Sequence, residues 1–439
     1  MCIDNGIITK YNSLRPKHKR DYLCFAPFTN MYFNVHGGVA PCWLGYAHTE
    51  DILKKNIKEI WVGDKFETFR QNIYNLKLDK TCATCKNNIL AGNHYSVLSR
   101  AYDLNSQPQE YPTMMELELD NTCNFECIMC NQYLSSSIAE RSGHKIKSEI
   151  IYDRNFVDQL EEFIPHLHEI RFNGGEPFLI NIYYEIWERI IRINPGLKIV
   201  VATNGSVYNN KIEGILRRGN FHFNISIDSL NKDQYSKIRK NGNLENTMNN
   251  FYRFLKYTKK NRSTLCILTN PMRNNWEEMP DFVKFCNHYN IPLWFNTIIH
   301  PKELSLWALP FEELSIIYNR LSKYHFAPNI FKPQSLHNIK AFRNLTNIQV
   351  FNWMLESKNK FRKDNTINTF EDIKKYISEN TKNNDVIQKI SFIENELVSR
   401  AIDNNLFFNL INNYSIEEFI EYLKTVKQED IFDSMKNYL

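Results

Sequence analysis

The chain has 439 residues, 43% hydrophobic and 23% charged, a balance that excludes a fully disordered or collagen-like protein and allows one large domain with additions or two to three ordinary ones. Lysine and arginine number 54 against 49 aspartates and glutamates, and a net charge of +5 over this length does not argue for nucleic acid. No apolar stretch approaches the ~20 residues that span a bilayer, and the first residues form no secretory signal, so the expectation is a cytoplasmic protein with reduced thiols, and no membrane partner. Residues 1–21 are polar and basic and read as an extension, with Lys17-His18-Lys19-Arg20 as a solvated face. Residues 22–105 are dense in cysteine, aromatics and glycine. Within them 29–35 reads as a strand, Gly37-Gly38 as its turn, 39–44 as its partner, and 57–74 as a helix with apolar spacing at Ile60, Trp61, Phe66 and Phe69. Residues 103–112 form a polar connection with two prolines. Over 112–305 the pattern alternates. Strands are predicted at 114–119, 169–172, 198–202, 223–227, 265–268 and 293–298, with helices at 156–163, 182–193, 211–218, 246–258 and 279–288. Six alternations predict an α/β fold, a parallel partial (β/α)6 TIM-like barrel short of the eight units that close one. From 306 to 439 strand signals vanish, and segments such as 311–324, 370–379 and 416–426 predict a helical extension, with Trp307, Phe351, Trp353, Phe407 and Phe408 read as core.

Ten cysteines in a reducing compartment do not read as a disulfide framework, so their spacing carries the information. Directly after the first predicted barrel strand come Cys123, Cys127 and Cys130, spaced CX3CX2C. Three thiols on a tight loop can serve three corners of an iron–sulfur cube and leave one iron without a protein ligand, although such clusters normally take four thiolates. Zinc would want a fourth nitrogen or sulfur ligand, and the next histidine is His144. This motif at the end of a first β/α strand resembles the radical SAM enzymes. The resemblance implies a 4Fe–4S cluster whose open iron binds S-adenosylmethionine (SAM), and reductive cleavage of SAM to a 5′-deoxyadenosyl radical that abstracts a substrate hydrogen. It also implies a flavodoxin- or ferredoxin-type electron donor.

The resemblance continues along the barrel. Asn173-Gly174-Gly175-Glu176-Pro177 matches the GGEP motif whose backbone receives the SAM amine. Thr203-Asn204-Gly205 ends the third strand as in many relatives. Ser226 and Asp228 stand where family members place polar groups on the ribose, and Arg239 where relatives hold the SAM carboxylate, which suits a guanidinium fork. Met129 replaces the aromatic residue that often lies against the adenine. Four cysteines precede the barrel. Cys24, Gly37 and Cys42 fit the opening of SPASM domains, and Cys82-Ala-Thr-Cys85 fits the shortened continuation called a twitch domain, here ahead of the barrel rather than after it. That implies a fully ligated auxiliary 4Fe–4S cluster; a four-cysteine zinc site is the alternative. Cys266 and Cys286 read as core.

Polar residues at strand ends outline a substrate pocket: Glu118, Asn173, Asn204, Asn270, Asn296 and His300, with Asn204, Asn270 and His300 as the catalytic candidates and His300 placed to move a proton. Three functions remain open on this reading. One is a radical SAM oxidoreductase that modifies a ribosomal precursor peptide, with recognition left to the helical extension or to a separate protein. The second is a radical SAM dehydrogenase of a small metabolite such as a sugar or aminocyclitol. The third is a non-catalytic iron–sulfur or zinc protein.

Overall fold

Short runs of extended, largely buried residues make the strands of this chain, and eleven appear among the described residues of the computed structural model. They are β1 (Asn30–Phe33), β2 (Gly38–Ala40), β3 (Glu50–Asp51), β4 (Met114–Leu117), β5 (Glu126–Cys127), β6 (Glu169–Phe172), β7 (Lys198–Thr203), β8 (Phe221–Ser226), β9 (Arg239–Lys240), β10 (Leu265–Thr269) and β11 (Leu293–Phe295). The structure describes residues 5–13, 15–16, 22–44, 50–78, 80–90, 94, 97–103, 110–143, 151–363, 369–381, 383–400, 404, 407–408, 416–428 and 431. The basic run at 17–20, His144 and most of the 103–112 connection lie outside them.

The six predicted barrel strands are β4, β6, β7, β8, β10 and β11, each parallel to its neighbour. In β8, Phe221, Phe223 and Ile225 are buried, while His222, Asn224 and Ser226 on the opposite face are half-buried. The buried face packs on the connecting helices, where Trp187 of helix Asn181–Ile193 meets Phe172 at 5.4 Å and Phe221 at 5.6 Å, ring centre to ring centre. Fully burying such side chains contributes roughly 1.5–3 kcal/mol each. The other face is the polar inner wall of the partial barrel.

The hairpin expected around Gly37-Gly38 is β1–β2, with Tyr32 opposite Ala40 and Phe33 opposite Val39. Gly37 has φ +83°, the left-handed region that favours glycine. Its wider pairing was not legible. β1 also runs parallel to β4, from Asn30 opposite Met114 to Phe33 opposite Leu117. The cysteine-rich segment therefore extends the barrel sheet into nine strands, ordered β11-β10-β8-β7-β6-β4-β1-β2-β3. The single helix predicted over 57–74 is two, Ile57–Trp61 and Asp64–Tyr74, because Gly63 takes extended backbone (ψ 164°) and caps the second.

At the far edge, the buried carboxamide of Asn338, on helix Gln334–Asn344, closes β11: it accepts from Leu293 N at 2.8 Å and donates to Ile291 O at 3.0 Å. Residues 317–350 fall in one compact unit with everything up to Leu304, although sequence placed them in the helical extension. The second unit comprises Ser305–Ile316 and the chain from Phe351. Its core gathers Phe370, Ile377, Ile390, Ile393, Phe407 and Leu423, while Trp307, Phe351 and Trp353 are half-buried. No helix among the described residues is long and apolar enough to cross a membrane.

Candidate active site and cluster-binding cavity

Parallel α/β sheets place their sites at the carboxyl ends of the strands, and the CX3CX2C loop leaves the end of β4. Asp120 Oδ1 accepts from both the amide and the hydroxyl of Thr122 at 2.7 Å, which turns the chain into Cys123. The loop is fastened on two sides. On one, β5 and β9 form a ribbon that sets Cys127 opposite Arg239, and Ile128 N donates to Ile238 O at 2.9 Å. On the other, the amide of Cys123 donates to Ser136 Oγ at 3.0 Å, and Ser137 Oγ donates to Cys123 O at 2.7 Å. The three thiols are half-buried, and the Phe125 amide is directed at Cys123 Sγ, 3.5 Å away. Burial pushes all three thiols up, Cys127 to about 11 and Cys130 to about 12, with the Arg239 charge pulling Cys127 back.

The two glycines of the GGEP segment are required by the chain itself. Gly174 has φ +93°, and a Cβ there would lie 2.4 Å from Asp120 O; one on Gly175 would lie 2.2 Å from Thr122 O. The segment is stitched to the run before Cys123 by Gly175 N to Asp120 O at 3.1 Å and Glu176 N to Thr122 O at 2.7 Å. Glu176 is fully buried and turned toward the protein. Its carboxylate accepts from Thr203 Oγ1 at 2.8 Å, Asn204 N at 2.7 Å and Phe178 N at 3.2 Å, and burial lifts its pKa to about 7. Glu176 and Thr203, both expected among the cofactor contacts, are thus engaged with each other. Asn204 reaches the cysteine loop, donating to Asn124 Oδ1 at 3.0 Å, and Asn124 donates to Ser206 Oγ at 3.0 Å. Asn124 and Ser206 carried no signal in the sequence.

Asp228, expected on the ribose, Arg239, expected on the SAM carboxylate, and Asn270, expected in the substrate pocket, bond to one another. Arg239 Nη2 pairs with Asp228 Oδ2 at 2.6 Å, and Asn270 donates to Asp228 Oδ1 through its backbone at 2.8 Å and its carboxamide at 2.9 Å. Asn275, not singled out by the sequence, donates to Asp228 O at 2.7 Å. Arg239 Nη1 stands 3.9 Å from Cys127 Sγ, and its buried Nε has no hydrogen-bond partner among the described residues. A cation with a donor to spare beside the cysteine loop fits a carboxylate ligand such as that of SAM. Met129 packs with Ile238, Met272 and Ile298, an apolar wall on the same side of the loop. Ser226 and Asn173 are half-buried at their strand ends. Glu118 accepts from the Tyr32 hydroxyl at 3.1 Å, and the two line a cavity of about 450 Å³ with Asn34, His36 and Leu134. His300 and Asn296 are exposed beyond β11.

Cys24, Cys42, Cys82 and Cys85 line one cavity, whose wall is otherwise mostly apolar and includes Phe69, Ile73 and Tyr102. Backbone amides point at its sulfurs: Ala26 at Cys24 (3.4 Å), Leu44 at Cys42, and Leu98 and Ser99 at Cys85. Burial pushes Cys24 and Cys42 up, and the neighbouring thiols push further, which marks the convergence of the four. Four thiols that line one mostly apolar cavity, with backbone amides directed at their sulfurs, are a donor set that fits an iron–sulfur cluster.

Comparison with known proteins agrees. The Radical SAM superfamily model matches residues 117–291, and the SPASM iron–sulfur cluster-binding domain matches residues 24–86. Curated relatives include molybdenum cofactor biosynthesis protein 1 of Dictyostelium discoideum, 23% identical over 214 residues, and a probable GTP 3′,8-cyclase of Methanocaldococcus jannaschii, 26% identical over 193 residues. Those alignments cover 48% and 43% of this chain, and only 32% and 60% of the relatives' own lengths. Among solved structures, Streptococcus suis SuiB is similar with a TM-score of 0.36 at 12% identity, over 58% of this chain and 61% of that one. The AdoMet-bound anSMEcpe structure is similar with a TM-score of 0.36 at 16% identity, over 48% and 58%. The two matched families bring SAM, its 4Fe–4S cluster and an auxiliary iron–sulfur cluster as cofactors. The chain carries a radical SAM domain over residues 117–291, and a SPASM-type cluster-binding domain over residues 24–86 comes ahead of it.

Proposed function

We propose that the chain is a radical SAM oxidoreductase that takes a hydrogen atom from a peptide substrate and passes the remaining electron to its auxiliary centre. The observation that carries this reading is the set of four cysteines lining one cavity on the same sheet as the barrel: the chain offers a full complement of thiolates there, which suits electron exchange better than substrate ligation. In this proposal Cys123, Cys127 and Cys130 hold the barrel cluster, and Cys24, Cys42, Cys82 and Cys85 hold the auxiliary one. Bound SAM with the reduced barrel cluster supplies the radical chemistry.

The chain's own residues do the rest. Arg239, held by Asp228, orients the SAM carboxylate, and Asn270 fixes Asp228 in turn. Glu176 locks the GGEP segment to the end of β7. Glu118, lifted to about 7 by burial and hydrogen-bonded to Tyr32, is placed to take the substrate proton into the cavity they share. A flavodoxin- or ferredoxin-type protein supplies the first electron, and a separate protein or the helical extension presents the peptide. A small-metabolite substrate is the second reading, favoured by the similarity to GTP 3′,8-cyclases.

The experiment is anaerobic reconstitution followed by reduction with SAM and, in separate reactions, candidate precursor peptides and nucleotide or sugar substrates. Formation of 5′-deoxyadenosine together with a peptide lighter by one pair of hydrogens supports the proposal. Cys127→Ala should abolish SAM cleavage, whereas Cys42→Ala or Cys85→Ala should leave part of it and stop product formation. A peptide that never changes mass while a nucleotide or sugar does would overturn the peptide assignment.

A further inference from the structure

A buried polar path leads from the four-cysteine cavity to the inner wall of the barrel. Tyr102 lines the cavity and packs with Phe25 and Met114 against Cys24 and Cys42. Its hydroxyl donates to Glu116 Oε1 at 2.7 Å, and the same oxygen accepts from Asn30 Nδ2 at 2.8 Å. Glu116 Oε2 stands 3.6 Å from Arg171 Nη1, and Arg171 is held by Glu169 at 2.5 Å. Arg171 and Glu169 are the half-buried positions of β6, on the barrel's inner face.

A carboxylate buried beside a cluster makes the addition of an electron less favourable, because charges are poorly screened at low dielectric. A guanidinium on the far side of that carboxylate offsets it. Tyr102 lines the cavity and hydrogen-bonds Glu116 directly, and Asn30 links Glu116 to Pro41 O on the same cavity wall.

We propose that Glu116 and Arg171 are positioning residues that set the reduction potential of the auxiliary cluster in opposite directions, with Tyr102 transmitting the field and Arg171 exposing it to whatever binds in the barrel. An acidic group of a substrate that engages Arg171 would then lower the potential of the auxiliary centre. The inference rests on the reading that Cys24, Cys42, Cys82 and Cys85 hold an iron–sulfur cluster.

The test uses the full chain with Cys123, Cys127 and Cys130 changed to alanine, so that only the auxiliary signal remains. About four irons per chain must load in this background; a chain that takes zinc or no iron sinks the underlying reading rather than this inference. In loaded protein, EPR-monitored redox titration should place the midpoint of Glu116→Gln above the parent and that of Arg171→Gln below it. Arg171→Lys, which keeps the charge, should return toward the parent value and stays informative if Glu116→Gln fails to load. Shifts of one sign in both charge-removing variants, or no shift in either Arg171 variant, would overturn the proposal, since loss of packing alone has no reason to distinguish the sign of the charge removed.

Discussion

Gly175 has less room than any other glycine in the barrel loops, because what a side chain would meet there is backbone. A Cβ would lie 2.2 Å from Thr122 O and 2.6 Å from Asn121 O, and those carbonyls belong to the run that delivers Cys123. Gly175→Ala should therefore push that run away and reduce iron at the barrel site, with the auxiliary iron retained, as iron analysis and EPR of the reconstituted variant would show. Beside it, Glu176 gives the site a pH dependence. Burial raises its carboxyl from 4.5 to about 7, outweighing the hydrogen bonds that lower it. The folded chain consequently binds more protons than the unfolded chain between those values. The contribution of Glu176 to stability is complete below pH ~4.5 and is lost as pH rises through about 7. Glu176→Gln cannot ionise, so its stability should fall less than that of the parent between about pH 5 and about pH 8. At about pH 5 it should lie lower by about 1–3 kcal/mol, since its carboxamide keeps one acceptor oxygen where Asn204 N and Thr203 use two, and the gap should close as pH rises. Urea unfolding at the two pH values measures both effects.

Element by element, periodicity revealed what is local and missed what is paired at a distance. The alternation in β8 and the 3.6-residue spacing of helices such as Leu244–Asn261 stand in the sequence, and the strands and helices formed where those patterns lie. β1 and β4 are buried at all four positions, so neither shows an inner and an outer face that would name its neighbour. The β5–β9 ribbon is two residues long on each side, too short for any period, yet it is what brings Arg239 to Cys127. Motif spacing likewise gave the cysteines and the GGEP segment. It could not give Asn124, Tyr32 or Glu116, whose roles exist only once separate strands have met. Asn338 is of the same kind. Its carboxamide replaces a missing strand at the β11 edge, and a carboxamide on a polar helix carries no sequence signal. Asn338→Ala would leave Leu293 N and Ile291 O buried and unpaired, costing about 1–3 kcal/mol for each group left unsatisfied. Asn338→Asp can still accept from Leu293 N but sets a buried carboxylate against Ile291 O and Asn287 Oδ1, so it should lose at least as much, which denaturant melts of the two variants would resolve.

At the scale of the molecule, the sheet argues against treating the cysteine-rich segment as a detachable module. β4 is a central strand because β1 covers the edge that β6 does not, and Asn30, on β1, ties that junction to Pro41 O and Glu116 at 2.8 Å each. Take the segment away and β4 becomes a bare edge whose Met114, Met115 and Leu117 are otherwise fully buried, the kind of exposed apolar strand that pairs with other chains. Removing the metal ligands alone does not do this, since the strands hold each other through backbone hydrogen bonds. A chain beginning at residue 110 should accordingly aggregate or fail to load barrel iron, whereas the full chain with Cys24, Cys42, Cys82 and Cys85 changed to serine should stay monodisperse and still cleave SAM. Size-exclusion chromatography with iron analysis separates the cases. If the truncated chain were monodisperse and cleaved SAM at the rate of the serine variant, the two cluster sites would be independent modules, and the continuity of the sheet would have no bearing on how the barrel works.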